Sequence, residues 1–182
     1  MTRPLVIGIG NPYRHDDGLG PALIERLRLA GEDRLEIVEE TGEPAALVQR
    51  WSGRGCVLLV DAVDSGGLPG GLHRFDCQRG SWRAGPPPAV LSTHGSGIVE
   101  AVELGRALDR LPDQLVFFGI EVEDTSDGVG LSPKVSVALD SLVRELPGIA
   151  SALATPATRA TPATRATPAT GATPLPCQEA QK

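Results

Sequence analysis

The sequence predicts an α/β fold: a three-layer sandwich with a mostly parallel five-stranded sheet, an antiparallel edge strand and helices on both faces. Three observations carry this reading. Short apolar runs rich in β-branched residues alternate with longer segments whose large apolar residues recur every fourth position, the pattern of strands alternating with helices. The runs Leu5-Val6-Ile7 and Val57-Leu58-Leu59-Val60 are continuously apolar, as strands covered on both faces must be. Finally, the third apolar run is followed, after a glycine-rich stretch of only about ten residues, by Leu72-His73-Arg74-Phe75-Asp76. That connection is too short for the crossover a parallel neighbour needs, so this strand runs antiparallel at an edge.

Taken in order, the first strand spans residues 4–10 and is closed by Asn11-Pro12, a turn signal. Leu19, Leu23 and Leu27 then place a helix over residues 19–30, after which come a strand near 35–39 and a helix near 44–51. The third strand, near 56–60, runs directly into Asp61-Ala62-Val63-Asp64, and the edge strand is expected near 71–76. A helix near 97–109 precedes the last strand, near 115–122. Val135, Leu139 and Val143, with Leu142 and Leu146 beside them, place a final helix over 133–146. Ser132-Pro133 supplies its N-cap and a proline at the first helical position.

Composition divides the 182 residues, 41% of them hydrophobic, into an α/β domain over residues 1–150 and a tail over 151–182. From Ala154 the tail repeats Ala-Thr-Pro-Ala-Thr-Arg, then ends the series with Ala-Thr-Pro-Ala-Thr-Gly. Such a segment holds too little large apolar surface to offset its ordering entropy and is read as disordered and partly polyproline-like. The tail is net basic, with Arg159, Arg165 and Lys182 against Glu179, so the formal charge of −6 for the chain becomes −8 for residues 1–150. That balance speaks against nucleic-acid partners. Cys56, Cys77 and Cys177 are odd in number and lack a Cys-x-x-Cys pair, which supports neither a disulfide framework nor a zinc-thiolate site. Cys56 opens a buried strand and is read as a core residue. No apolar stretch is long enough to span a membrane and no signal-peptide pattern precedes the first strand, so the expected location is the cytoplasm.

The residues that carry chemistry are Asp17, Asp61 and His94. Asp17 follows the first strand, Asp61 closes the third, and His94 immediately precedes a predicted helix. The topology brings all three toward the carboxyl edge of the sheet, where open α/β sheets bind ligands. Singly, each has an ordinary use: Asp17 beside a helix N-terminus, Asp61 in a turn, His94 in a surface loop. Together, two carboxylates and an imidazole suit a hard-to-borderline divalent metal with open coordination positions. Asp16 is read as a carboxylate that structures the loop or supports a neighbouring ligand rather than as a ligand itself, and His15 and His73 as surface histidines. Glu121, Glu123, Asp124 and Asp127 form an acidic loop, solvated by default, near the same crevice. No serine or cysteine sits in a nucleophile motif, so the catalytic group is unknown from sequence.

Four ordered segments carry a resemblance. They are residues 6–20 (Val-Ile-Gly-Ile-Gly-Asn-Pro-Tyr-Arg-His-Asp-Asp-Gly-Leu-Gly), Leu59-Val60-Asp61-Ala62-Val63, Ser92-Thr93-His94 and Gly130-Leu131-Ser132-Pro133. In that order they resemble the motifs of the hydrogenase maturation proteases. The resemblance spans roughly residues 4–146 and omits the tail. It implies an endopeptidase that removes the C-terminal extension of a nickel-iron hydrogenase large-subunit precursor after nickel insertion. It also implies that Asp17, Asp61 and His94 are the metal ligands, with nickel presented by the precursor. Two departures stand out: Asp17 occupies a position that is often glutamate, and residues 39–44 (Glu-Glu-Thr-Gly-Glu-Pro) replace a commoner Asp-Gly-Gly-Thr form. The alternatives are a non-catalytic nickel-binding accessory module and a peptidyl-tRNA hydrolase-like enzyme, which Gly8-Ile9-Gly10-Asn11-Pro12 also resembles. The acidic body disfavours the second, because RNA phosphates call for a basic stripe. A dinucleotide site is disfavoured because the third glycine of Gly-x-Gly-x-x-Gly would fall at Tyr13.

Overall fold

The computed structural model describes residues 2–77 and 95–154. His94 and tail residues 155–182, Cys177 among them, lie outside the described residues. In chain order the elements are β1 (Leu5–Ile9), α1 (Leu19–Leu29), β2 (Glu36–Glu40), α2 (Pro44–Trp51), β3 (Cys56–Val63), β4 (Leu72–Asp76), α3 (Gly95–Ala107), β5 (Gln114–Glu121) and α4 (Pro133–Ala154). The strands form one sheet in the order β2-β1-β3-β5-β4. Four are mutually parallel and β4 pairs antiparallel with β5 at the edge, as the short connection requires.

Side chains alternate between the two faces of the sheet and so divide the core. On one face Val6, Leu58, Val60, Val116 and Phe118 meet α1 and α4. On the other, Leu5, Ile7, Val57, Leu59 and Phe117 meet α2 and α3. The central strands β1 and β3 are buried along their whole length, which explains their unbroken apolar character. Glu43 caps α2, its carboxylate accepting from the amides of Ala45 and Ala46 at 3.1 and 2.6 Å.

Two boundaries differ from expectation. β3 continues through Asp61 to Val63, so Asp61 lies inside the strand rather than just past its end. It is paired in register with Gly119, and its polarity hides a strand that continues because β5 pairs with it to the end. α4 runs through Pro147 to Ala154, past both the expected helix end at 146 and the domain boundary at 150. Proline lacks the N–H for one helical bond, but Leu146 and Ala150 are buried on either side of it, and their packing carries the helix onward.

The junction of β1 and α1 is unusually close. A Cβ on Gly20 would lie 2.1 Å from the carbonyl oxygen of Ile9, and one on Gly10 would lie 1.9 Å from that of Asp17. Backbone meets backbone there because glycine leaves the space, and this contact presses the loop bearing Asp17 against the end of the sheet.

Candidate metal and substrate crevice

The strand order places β2 on one side of β1 and β3 on the other, so the chain leaves β1 and β3 in opposite directions across the sheet. This is the topological switch point, where a crevice opens beyond the carboxyl ends of the strands. The loop after β1 folds into a 3-10 turn, His15–Gly18, that buries Asp16 and Asp17 and packs against β3. Asp17 is held at the backbone, its amide donating to the carbonyl of Arg14 at 3.0 Å and its carbonyl accepting from Asn11 at 3.1 Å.

Asp61 is fully buried in β3, on the face shared by Leu59 and Val63 and covered by α2 and α3. One carboxylate oxygen accepts from the amide of Ala62 at 2.8 Å. The first turn of α3 reaches the same region: a Cβ on Gly97 would lie 2.2 Å from the carbonyl oxygen of Gly42, in the loop after β2. The structure therefore gathers Asp17, Asp61 and the start of α3 at one end of the sheet. His94, the residue before α3, lies outside the described residues. Among the described residues no three His, Cys, Asp or Glu side chains are close enough to hold a metal ion. Two of the three expected ligands are thus located.

Two other buried carboxylates have structural work. Asp16 accepts from the amides of Ser132 at 2.6 Å, Glu123 at 2.9 Å and Asp124 at 3.0 Å, and its own amide donates to the carbonyl of Asp124 at 3.0 Å. It pins the β5–α4 loop to the β1–α1 loop, in keeping with its reading as a loop-structuring group. Glu121 departs from expectation. It is the buried last residue of β5, not a member of a solvated loop, whereas Glu123, Asp124 and Asp127 are exposed as expected.

The Glu121 carboxylate accepts from the amides of Ser65 and Gly67, both at 2.7 Å, and from the Ser65 hydroxyl at 2.9 Å. It also pairs with His73 Nε2 at 2.8 Å, which corrects the reading of His73 as an ordinary surface histidine. Burial pushes the Glu121 carboxyl up, but the Gly67 amide, His73 and Ser65 together hold it below its ordinary value. His15, likewise read as a surface residue, is half-buried in a left-handed conformation (φ 43°), its Nδ1 3.3 Å from the carbonyl of Gly130. Neither Cys56 nor Cys77 offers a nucleophile: both are buried, and burial raises both thiols, that of Cys77 to about 12.

A depressed folded-state carboxyl contributes stability that is fully present above its unfolded value, about 4.3 for glutamate, and is lost as pH falls through the lower folded value. The Glu121→Gln variant should therefore be less stable than wild type at neutral pH. The gap should narrow as pH is lowered from about 4.3. Melting curves taken across that range check this, and a gap independent of pH would remove the carboxylate's charge from the account.

A family model described as hydrogenase maturation protease matches residues 21–148. The chain belongs to the hydrogenase maturation protease family. Among similar proteins, the hydrogenase expression/formation protein HoxM of Azotobacter vinelandii is 29% identical over 165 residues, covering 84% of this chain and 78% of its own. HupD of Bradyrhizobium diazoefficiens is 30% identical over 137 residues, covering 74% and 70%. The fold is that of the hydrogenase maturating endopeptidase HybD from Escherichia coli, with a TM-score of 0.69 at 20% identity over 83% of this chain and 93% of that one. HybD from Thermococcus kodakarensis gives 0.67 at 23% identity over 82% and 99%.

This hydrogenase maturation protease is accordingly an endopeptidase with the α/β architecture its sequence predicts. The matched region contains Asp61 and the segment of His94, while Asp17 precedes it. Among the described residues no helix is long and apolar enough to cross a membrane.

Proposed function

We propose that this protease removes the C-terminal extension of a nickel-iron hydrogenase large-subunit precursor once nickel is in place, and that Asp17, Asp61 and His94 recognise that metal. The supporting observation is the burial of two carboxylates, Asp17 and Asp61, at the switch point of the sheet, delivered by a loop and a strand that pack together. Burying carboxylates is costly unless something compensates the charge. Asp16 and Glu121 are compensated by amides from neighbouring loops. Asp17 and Asp61 add two further buried carboxylates at the end of the sheet, and with the imidazole of His94 they make a donor set that suits a divalent cation.

Two carboxylates and one imidazole make a shell of modest affinity with open positions, suited to a metal that arrives with the substrate and leaves with the product. A divalent cation held by Asp17, Asp61 and His94 would supply Lewis-acid polarisation of a carbonyl or a more acidic water. The chain's own contribution is to orient: β3 fixes Asp61 in register with Gly119, and the glycine contact beneath the 3-10 turn fixes Asp17.

The test is incubation of the purified full chain with nickel-loaded and nickel-free precursor, cleavage being read as a size shift on a denaturing gel. Only the loaded precursor should be processed. Equal cleavage of both would remove the metal recognition, and cleavage of neither would remove the substrate assignment.

A further inference from the structure

The ends of the loops around the crevice carry large apolar side chains in water. Tyr13 is 73% exposed and Val129 76%, on the loops after β1 and β5; Leu68 is 85% exposed and Leu72 50%, on the connection leading into β4. These four account for half of the exposed large apolar residues among the described residues. Isolated exposed leucines are ordinary on any surface. Clustering at the end of the sheet that holds Asp17 and Asp61 is not.

The loops that carry them are rigidly braced. Tyr13 and Val129 flank a parallel bridge between Arg14 and Gly128, in which the Gly128 amide donates to Tyr13 at 2.9 Å and the His15 amide to Gly128 at 3.1 Å. Beneath it, Asp16 spends its carboxylate on three amides of the β5–α4 loop. On the opposite side, Glu121 holds Ser65, Gly67 and His73, its backbone exchanges hydrogen bonds with Gly70 and Gly71, and the Gly71 amide donates to Leu68 at 2.9 Å. The two sides meet where Gly70 approaches the first turn of α4, a Cβ there falling 2.9 Å from the carbonyl of Lys134. Two buried carboxylates thus hold one continuous rim with its apolar tips pointing into solvent. A braced loop has little backbone entropy left to lose when a partner covers it, which is how a preformed docking face gains affinity.

The charge around the tips selects the partner. Asp64, Asp124 and Asp127 are exposed on the same loops. Among the described residues these loops and the first turn of α4 carry the cations Arg14 and Lys134, the latter paired with Glu123 at 3.0 Å. With residues 1–150 at −8 overall, an anionic lipid surface or nucleic acid is repelled, whereas a protein patch with apolar centre and basic border is complementary.

We propose that this rim is the docking surface for the hydrogenase large-subunit precursor, which presents to it an apolar segment bordered by lysine or arginine. The proposal rests on the substrate reading above and extends it from the metal to the protein surface around it. Binding of purified nickel-loaded precursor is measured by calorimetry, alongside processing kinetics, for wild type, Tyr13→Ser/Val129→Ser, Leu68→Ser/Leu72→Ser, and a control, Leu29→Ser, at the other end of α1. Each rim pair should weaken binding by about tenfold or more and raise KM with little change in kcat. The control should behave as wild type, and added salt should weaken wild-type binding. Rim variants that bind as tightly as wild type overturn the docking surface while leaving the protease reading intact. Wild type that binds but does not cleave, with binding lost in the rim variants, keeps the docking surface and removes the protease reading. Absence of wild-type binding overturns the docking surface.

Discussion

Asp61→Asn and His94→Ala should each lower processing of the nickel-loaded precursor by about 100-fold or more, since replacing even a supporting partner of a metal ligand costs 10 to 100-fold. Folding should survive both changes. Asparagine keeps the shape of Asp61, and its carbonyl oxygen still accepts the Ala62 amide that Asp61 now holds at 2.8 Å, while the negative charge that favours a divalent cation is gone. Asp61→Ala would be a poorer probe, because it strands that buried amide and mixes a stability loss with the loss of charge. His94→Ala removes one donor nitrogen from the residue preceding α3. Processing is followed on a gel with circular dichroism of each variant beside it. Wild-type rates from either variant would end the ligand assignment for that residue, and a lost circular dichroism signal would show that the loss of activity is one of fold.

The fold was largely legible because its signals are local. Continuous β-branched runs mark strands buried on two faces, four-residue leucine spacing marks covering helices, and a connection without room for a helix forces β4 to the antiparallel edge. The ends of elements were less legible. Asp61 interrupts an apolar run yet lies inside β3, because its strand is decided by pairing with β5 out to Glu121, a non-local fact. Pro147 interrupts the α4 pattern yet is passed, because Leu146 and Ala150 find the core.

The site divides along the same line. Asp17 and Asp61 could be placed at the carboxyl edge from strand order alone. The loop-structuring role of Asp16 was legible, but neither its partners nor the bracing by Glu121 could be foreseen, since both work through backbone amides that come from loops more than fifty residues away, and amides leave no mark in a sequence. The Asp16-Asp17 doublet was the available hint: both carboxylates are buried in one tight turn, and Asp16 ties that turn to the β5–α4 loop.

Asp16→Asn is expected to destabilise the protein by about 3 kcal/mol, toward the upper end for a single buried hydrogen-bonded group. The carboxylate presents acceptors to three amides, with Glu123 and Asp124 on one oxygen and Ser132 on the other. An asparagine offers one acceptor and turns an N–H2 toward the remaining donor or donors, so at least one buried amide faces a donor instead of an acceptor. The favourable interaction of a full negative charge with those amides is lost as well. At roughly 3 °C per kcal/mol for a domain of this size, the melting temperature should fall by about 9 °C. The same variant should speed hydrogen exchange at the amides of Glu123, Asp124 and Ser132 well before the core of the sheet is affected, because the bonds lost tie one loop to another. Asp124→Asn, at an exposed position whose carboxylate accepts from the nearby Ser126, its amide at 2.8 Å, is the matched control and should cost much less. A melting temperature for Asp16→Asn within 2 °C of wild type, a loss of less than about 1 kcal/mol, with unchanged exchange at the three amides, would show that the β5–α4 loop is held by other contacts. The rim above the crevice would then lose one of its two braces.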